Sequence, residues 1–224
     1  VLGVYELKER LLARFPQLLL EGCSGGGGRF DAGMLYYAPQ IWCSDNTDAI
    51  NRLTIQYGTS FFYPAGTMGA HVSAVPNHQT GRTTPFATRG HVALSGTFGY
   101  ELDLNLVSAE EKQMVKEQLA EFDRYYELTH EGDYYRLAKP GEALMAWGFV
   151  AKDQSRAMVT VVSTDVEGNP LAQHIPVKGL AEGRNYRCSY NGIVHDGSVW
   201  NSCGLTLKKV LKEYESLLIE WTEV

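Results

Sequence analysis

Apolar residues recur along this chain with two different periods. Over roughly the first 130 positions, stretches with helical spacing alternate with short continuous apolar runs. Residues 4–15 place Val4, Leu7, Leu11 and Leu12 on one face against Lys8, Glu9 and Arg10, and Pro16 stops that helix. Leu18, Leu19 and Leu20 form a continuous run expected of a parallel strand covered on both faces. Residues 40–43 predict a short buried strand. From Thr47 onward, Ile50, Leu53 and Tyr57 predict a helix that ends at Gly58. Residues 61–63 predict the next strand, 64–89 a long functional loop, 91–94 a last barrel-like strand, and 98–104 a lead into a further helix. Ser108 with Glu111 forms a capping box, and the helix it opens is expected to bury Val115, Leu119, Phe122 and Tyr126.

From Asp133 the period changes to two. Alternating runs at 146–150, 157–163, 185–188 and 217–221 are separated by turn signals at Lys152-Asp153, Glu167-Gly168-Asn169-Pro170 and Asp196-Gly197. This pattern predicts an antiparallel β-sandwich. The shift near His130 to Asp133 divides the chain into residues 1–130 and 131–224. Residue 1 precedes a helix with no start signal, so a cut end is expected there.

Composition narrows the class. The 224 residues carry a formal net charge of -6, with pI near 5.5, which disfavours nucleic acid and anionic lipid as partners and suits a neutral or small polar one. No apolar run approaches membrane-spanning length. Cys23, Cys43, Cys188 and Cys203 lack both disulfide-scaffold density and zinc-ligand spacing, and are expected to be reduced thiols of a cytoplasmic protein.

Candidate chemistry gathers at the strand-to-helix turn Ser44-Asp45-Asn46. Such turns lie on the face of a (β/α) barrel that displays catalytic groups, although the same residues also suit a plain helix cap. The glycine run Gly25-Gly26-Gly27-Gly28 is not followed by the Gly-Lys-Ser/Thr of a phosphate loop. It suits close backbone approach to a ligand, or a mobile surface loop. His71 and His78 lack a metal-ligand pattern and are expected to shape their loop by hydrogen bonds; no metal and no cofactor is implied.

Three stretches resemble the bacterial α-galactosidases of glycoside hydrolase family 36: Glu21-Gly22-Cys23-Ser24-Gly25-Gly26-Gly27-Gly28-Arg29-Phe30-Asp31, Gln40-Ile41-Trp42-Cys43-Ser44-Asp45, and His71-Val72-Ser73-Ala74-Val75-Pro76-Asn77-His78-Gln79. The resemblance covers essentially the whole chain. It implies the closing βα units of a TIM (β/α)8 barrel followed by a C-terminal antiparallel β-sandwich, acting on terminal α-galactose of melibiose- or raffinose-type sugars with retention of configuration. Ser44, Asp45, Asp48 and Arg52 fill the family's Ser-Asp-x-x-Asp-x-x-x-Arg motif, which makes Asp45 the general acid/base. Asp48 and Arg52, four residues apart, are expected to pair and hold the turn.

Cys23, Gly26, Gly28 and Arg29 fill its Cys-x-x-Gly-x-Gly-Arg motif at the sugar site. The resemblance makes Cys23, Gly25, Gly26 and Trp42 candidate galactose contacts, with Arg29 in support. The family's nucleophile lies in a Lys-x-Asp motif on an earlier strand; no tryptophan here, at 42, 147, 200 or 221, is preceded by Lys or followed by Asp. The chain is therefore expected to correspond to the C-terminal third of such an enzyme, to need the N-terminal part as partner, and to be inactive alone. The resemblance also implies a homo-tetramer. Alternatives are a galactosyltransferase or α-N-acetylgalactosaminidase of the same family, or a non-catalytic carbohydrate-binding module.

Overall fold

The computed structural model describes residues 1–28, 30–166, 168 and 172–224. The expected roles of Arg29 and of the turn signal spanning Glu167, Asn169 and Pro170 fall outside the described residues.

The N-terminal part is a run of βα units. Helix α1 (Leu2–Arg14) precedes strand β1 (Glu21–Gly22), and α2 (Met34–Tyr37) leads to β2 (Gln40–Ile41), which pairs with β1 in parallel. Helix α3 (Ala49–Thr59) and a single 3-10 turn (Ala65–Thr67) lead to β3 (Gly69–Ser73). Helix α4 (Phe86–Ala93) then connects β3 to β4 (Thr97–Glu101), again parallel. A parallel bridge between Ile41 and Met68 joins the two strand pairs. All four strands thus run the same way, and the segments that follow them emerge on one edge.

The structure departs from the sequence expectations at five places. Residues 18–20 are not a strand: β1 starts at Glu21, and Leu19 is 91% exposed because no described element packs over it. Phe61 and Phe62 lie in an exposed turn with no strand neighbour among the described residues; the Arg136 guanidinium covers the Phe61 ring 4.0 Å from its centroid. The supposed long loop contains β3, hidden by its Gly-Ala-His start. Gly69 is needed there, because a Cβ would come within 2.9 Å of Trp42 Cε3. Residues 91–93 belong to α4, not to a strand, since a four-residue apolar run has no period long enough to separate the two. Gly58 likewise lies inside α3, which ends one residue later.

Helix α5 (Ala109–Glu131) opens on the expected capping box: Glu111 N donates to Ser108 Oγ and Ser108 N to Glu111 Oε2, both at 3.1 Å. Its buried stripe is Gln118, Tyr125, Leu128 and Thr129, displaced from the expected one; Leu119 and Tyr126 face outward while Val115 and Phe122 are half-buried. Gln118 fixes this rotation. Its amide donates to Phe86 O and accepts from Tyr100 Oη, and it sits where a side chain on Gly90 would otherwise stand.

After β5 (Asp133–Arg136), β6 (Leu144–Val150) and β7 (Arg156–Ser163) come β8 (His174–Ile175), β9 (Asn185–Cys188), β10 (Val194–Asp196), α6 (Gly197–Cys203), β11 (Leu205–Thr206) and β12 (Ser216–Glu223). Six of these strands make one antiparallel sheet in the order β10-β9-β12-β7-β6-β5, and β8 pairs with β11 as a separate ribbon. Side chains along β6 and β7 alternate between two cores. Ala146, Val150, Val159 and Val161 face Ile175, Trp200 and Leu205 of the outer ribbon and α6. Met145, Trp147, Phe149, Met158 and Val162 face Leu53, Met68, Val92 and Leu128 of the βα units. The sheet is therefore buried on both faces, and its inner face is also the packing face of the barrel units. This is why β6 and β7 read as nearly continuous apolar runs.

Candidate active site

The parallel strands send three segments to the same edge: 23–28 after β1, 42–48 after β2 and 74–85 after β3. The first two are in backbone contact. Gly26 (φ 74°) and Gly27 (φ 89°) hold left-handed conformations, and a Cβ on Gly26 would lie 2.8 Å from Asp45 N, one on Gly27 3.1 Å from Cys43 Cα. Only glycine fits against the Cys43–Asp45 backbone in this way. Gly28 N closes the loop onto Ser24 O at 3.1 Å.

Asp45 stands at the head of the turn with its side chain exposed, so the enclosure expected of a general acid is not supplied by the described residues. Its Oδ1 accepts the indole N–H of Trp42 at 3.1 Å. Trp42 in turn is stacked on His71, with centroids 4.7 Å apart at 26°, and is covered by the Arg52 guanidinium at 5.0 Å. Cys23 and Cys43 flank the same edge, and all four cysteines are free thiols.

Asp48 and Arg52 do hold the turn, but not by pairing with each other. Asp48 is the N-cap of α3: its Oδ1 accepts from Ile50 N at 2.8 Å and Asn51 N at 3.3 Å. Its Oδ2 accepts from Arg82 at 2.6 Å and from the Thr80 hydroxyl. Burial by itself would raise this carboxyl; the bonds from Thr80, Arg82, Ile50 N and Asn51 N outweigh it and hold Asp48 below the usual carboxylate range. Arg52, also buried, spends its fork on carbonyls: Ser44 O at 3.2 Å and Gly69 O, with Nε on Gln56 Oε1 at 3.1 Å. It ties the turn after β2 to the start of β3.

The segment after β3 clamps the turn through residues that sequence reasoning did not single out. Asn77 organises it, accepting from Gln79 N and Thr80 N at 3.0 and 3.1 Å while donating to Thr47 Oγ1 at 3.0 Å. Gln79 Nε2 donates to Asp45 O at 3.3 Å, and Ser73 Oγ to Thr47 O at 2.9 Å. The expected shaping role of the two histidines is thus taken by Asn77 and Thr80. His78 is exposed, and His71 serves as the stacking partner of Trp42, its Nδ1 3.6 Å from Glu101 Oε2. The available signal was the Asn-x-x-Thr spacing of an Asx turn, easily passed over inside a polar loop.

A carboxylate on the carboxyl edge of parallel βα units, backed by a glycine loop, defines the class of a (β/α)-barrel enzyme site. Residues 1–132 match the family described as Melibiase, and residues 144–220 match the glycosyl hydrolase family 36 C-terminal domain. The chain belongs to glycoside hydrolase family 36. It is 53% identical over its full length to the bifunctional alpha-galactosidase/sucrose kinase AgaSK of Mediterraneibacter gnavus, of which it covers 24%. It is 47% identical over 97% of its length to alpha-galactosidase AgaA of Geobacillus stearothermophilus, covering 30% of that protein. The solved galactosidase domain of AgaSK superposes with a TM-score of 0.97 at 53% identity, and a variant of AgaA in complex with raffinose with 0.96 at 46%. Each superposition takes in all of this chain and 31% of the other. The chain thus spans between 24% and 31% of the length of these relatives.

Proposed function

We propose that this chain carries the general acid/base, Asp45, of a retaining α-galactosidase that cleaves terminal α-galactose from raffinose- and melibiose-type oligosaccharides. The observation that supports it most directly is the seating of the Gly26–Gly27 loop against the backbone of Cys43–Asp45, which puts a sugar-approachable wall beside an oriented carboxyl. The names of the relatives and the raffinose held by one of them support the substrate class.

Retention of configuration requires a second carboxyl about 5 to 5.5 Å from the first, to attack the anomeric carbon while the first protonates the leaving oxygen. In this reading that nucleophile, and the wall that encloses Asp45, come from the part of the enzyme that this chain does not span. The Trp42 indole fixes the rotamer of Asp45; Cys23, Gly25 and Gly26 line the galactose. After the galactosyl-enzyme forms, Asp45 takes the proton from the incoming water and returns to its acid form.

In the full-length enzyme, Asp45→Asn is expected to lower turnover of raffinose by about 10²–10⁴-fold while galactose binding persists. The chain by itself is expected to give no release from a chromogenic α-galactoside. Undiminished turnover by the Asn variant would sink the assignment.

A further inference from the structure

Arg82 is held from two sides. Toward the barrel units it forms the 2.6 Å ion pair with Asp48, whose side chain is wholly buried. Toward the C-terminal sheet its guanidinium lies over the ring of Tyr214, 5.3 Å from the centroid. Tyr214 is a non-glycine residue with φ of 61°, a conformation that side chains seldom adopt unless their surroundings impose it. The surroundings are on view: Tyr214 N donates to Ser163 O at 2.8 Å at the end of β7, and Tyr214 O accepts from the Thr88 hydroxyl of α4 at 2.6 Å. The same hydroxyl meets Ser216 Oγ at 2.8 Å, and Ser216 meets His91 Nδ1 at 2.7 Å. The segment entering β12 is therefore pinned to both layers at the one point where its ring reaches Arg82.

We propose that Tyr214 and Arg82 form a brace through which the C-terminal sheet positions the turn that carries Asp45. The path is short: Tyr214 backs the Arg82 guanidinium, Arg82 fixes the Asp48 carboxylate, and Asp48 caps α3 three residues after Asp45, while Gln79 of the same clamp holds Asp45 O. Tyr214 and Arg82 are positioning residues; neither is assigned to the reacting atoms. The proposal rests on Asp45 being the acid/base, and it gives the C-terminal domain a part in catalysis that its distance along the chain conceals.

A misaligned acid has a signature that a merely weakened fold does not. Protonation of the leaving oxygen matters for a sugar leaving group and little for an acidic phenol, whereas loss of folded enzyme slows both equally. In the full-length enzyme, Tyr214→Ala is expected to lower kcat/KM for raffinose about 10-fold and for a dinitrophenyl α-galactoside less than about 2-fold. Tyr214→Phe, which keeps the ring face, is expected to recover most of the loss. Arg82→Lys keeps the charge without the planar fork and should show the same split at about 3-fold, which serves where Tyr214→Ala fails to fold. Parallel losses on the two substrates, or no loss, overturn the brace. Asp45→Asn measured alongside separates the two levels: a split there but not at Tyr214 or Arg82 removes only the brace, and no split at Asp45 removes the acid assignment and the brace together.

Discussion

Trp42 donates its indole N–H to Oδ1 of Asp45, three residues later in the chain and at 3.1 Å. The donor is itself held, by the His71 stack and the Arg52 guanidinium, so the carboxyl has one preferred orientation without being enclosed. An exposed carboxylate on a free turn would sample several rotamers, and a proton donor that must reach one oxygen gains from losing that freedom.

Trp42→Phe tests this, because it keeps an aromatic ring beside His71 and removes the N–H donor together with part of the fused ring that packs near Gly69. In the full-length enzyme kcat/KM on raffinose is expected to fall about 10-fold, with circular dichroism and melting temperature close to the parent's. Unaltered kinetics would mean that the indole hydrogen bond has no part in aiming the acid.

Gly26→Ala attacks the same turn from the other side. The added methyl meets Asp45 N at 2.8 Å and the backbone is left-handed, so both steric overlap and strain act at once, an expected loss of about 1–3 kcal/mol in chemical denaturation accompanied by loss of turnover. Gly141→Ala is the matched control. It is also left-handed, at φ 94°, but among the described residues nothing lies within 4 Å of the added methyl, so it should cost about 1 kcal/mol from strain alone and leave turnover intact.

His91 offers a pH test of the packing between α4 and β12. Burial pushes its pKa down from 6.5 to about 4, so the folded protein keeps the ring neutral while the unfolded chain takes up a proton. Its contribution is fully present above pH 6.5, declines as pH falls toward 4, and is constant below that, a total on the order of 3 kcal/mol. His91→Gln should flatten the stability profile in that window. A slope that survives the substitution must come from other groups.

Much of the chain was legible where its signals are local. The alternation along β6 and β7 sorts their side chains onto opposite faces, and Ser108 with Glu111 starts α5 as read. What the pattern could not supply was the identity of the layers that meet those faces. The inner face is covered by barrel-unit helices rather than by a full second sheet, and the outer face by a two-stranded ribbon with α6. The errors in the first half cluster where apolar runs are short. Residues 18–20, 61–63 and 91–94 are each three or four long, and only their neighbours decide between strand, turn and helix.

The sequence by itself determined that Asp45 would stand on a strand-to-helix turn and that residues 25–28 would form a glycine loop, because turn chemistry, capping and the conformational freedom of glycine act over a few residues; that the two meet was decided by the pairing of β1 with β2. Only the tertiary structure decided what holds that turn. Spacing along one helix makes Asp48 and Arg52 natural partners, yet a capping carboxylate points back at the first helical N–H groups, and the buried Arg52 fork finds backbone carbonyls closer at hand. Asp48 then takes its cation from Arg82, 34 positions away, and Arg82 its backing from Tyr214 at the far end of the chain. Those partnerships are set by which strands lie side by side, a relation between distant segments that no local spacing contains.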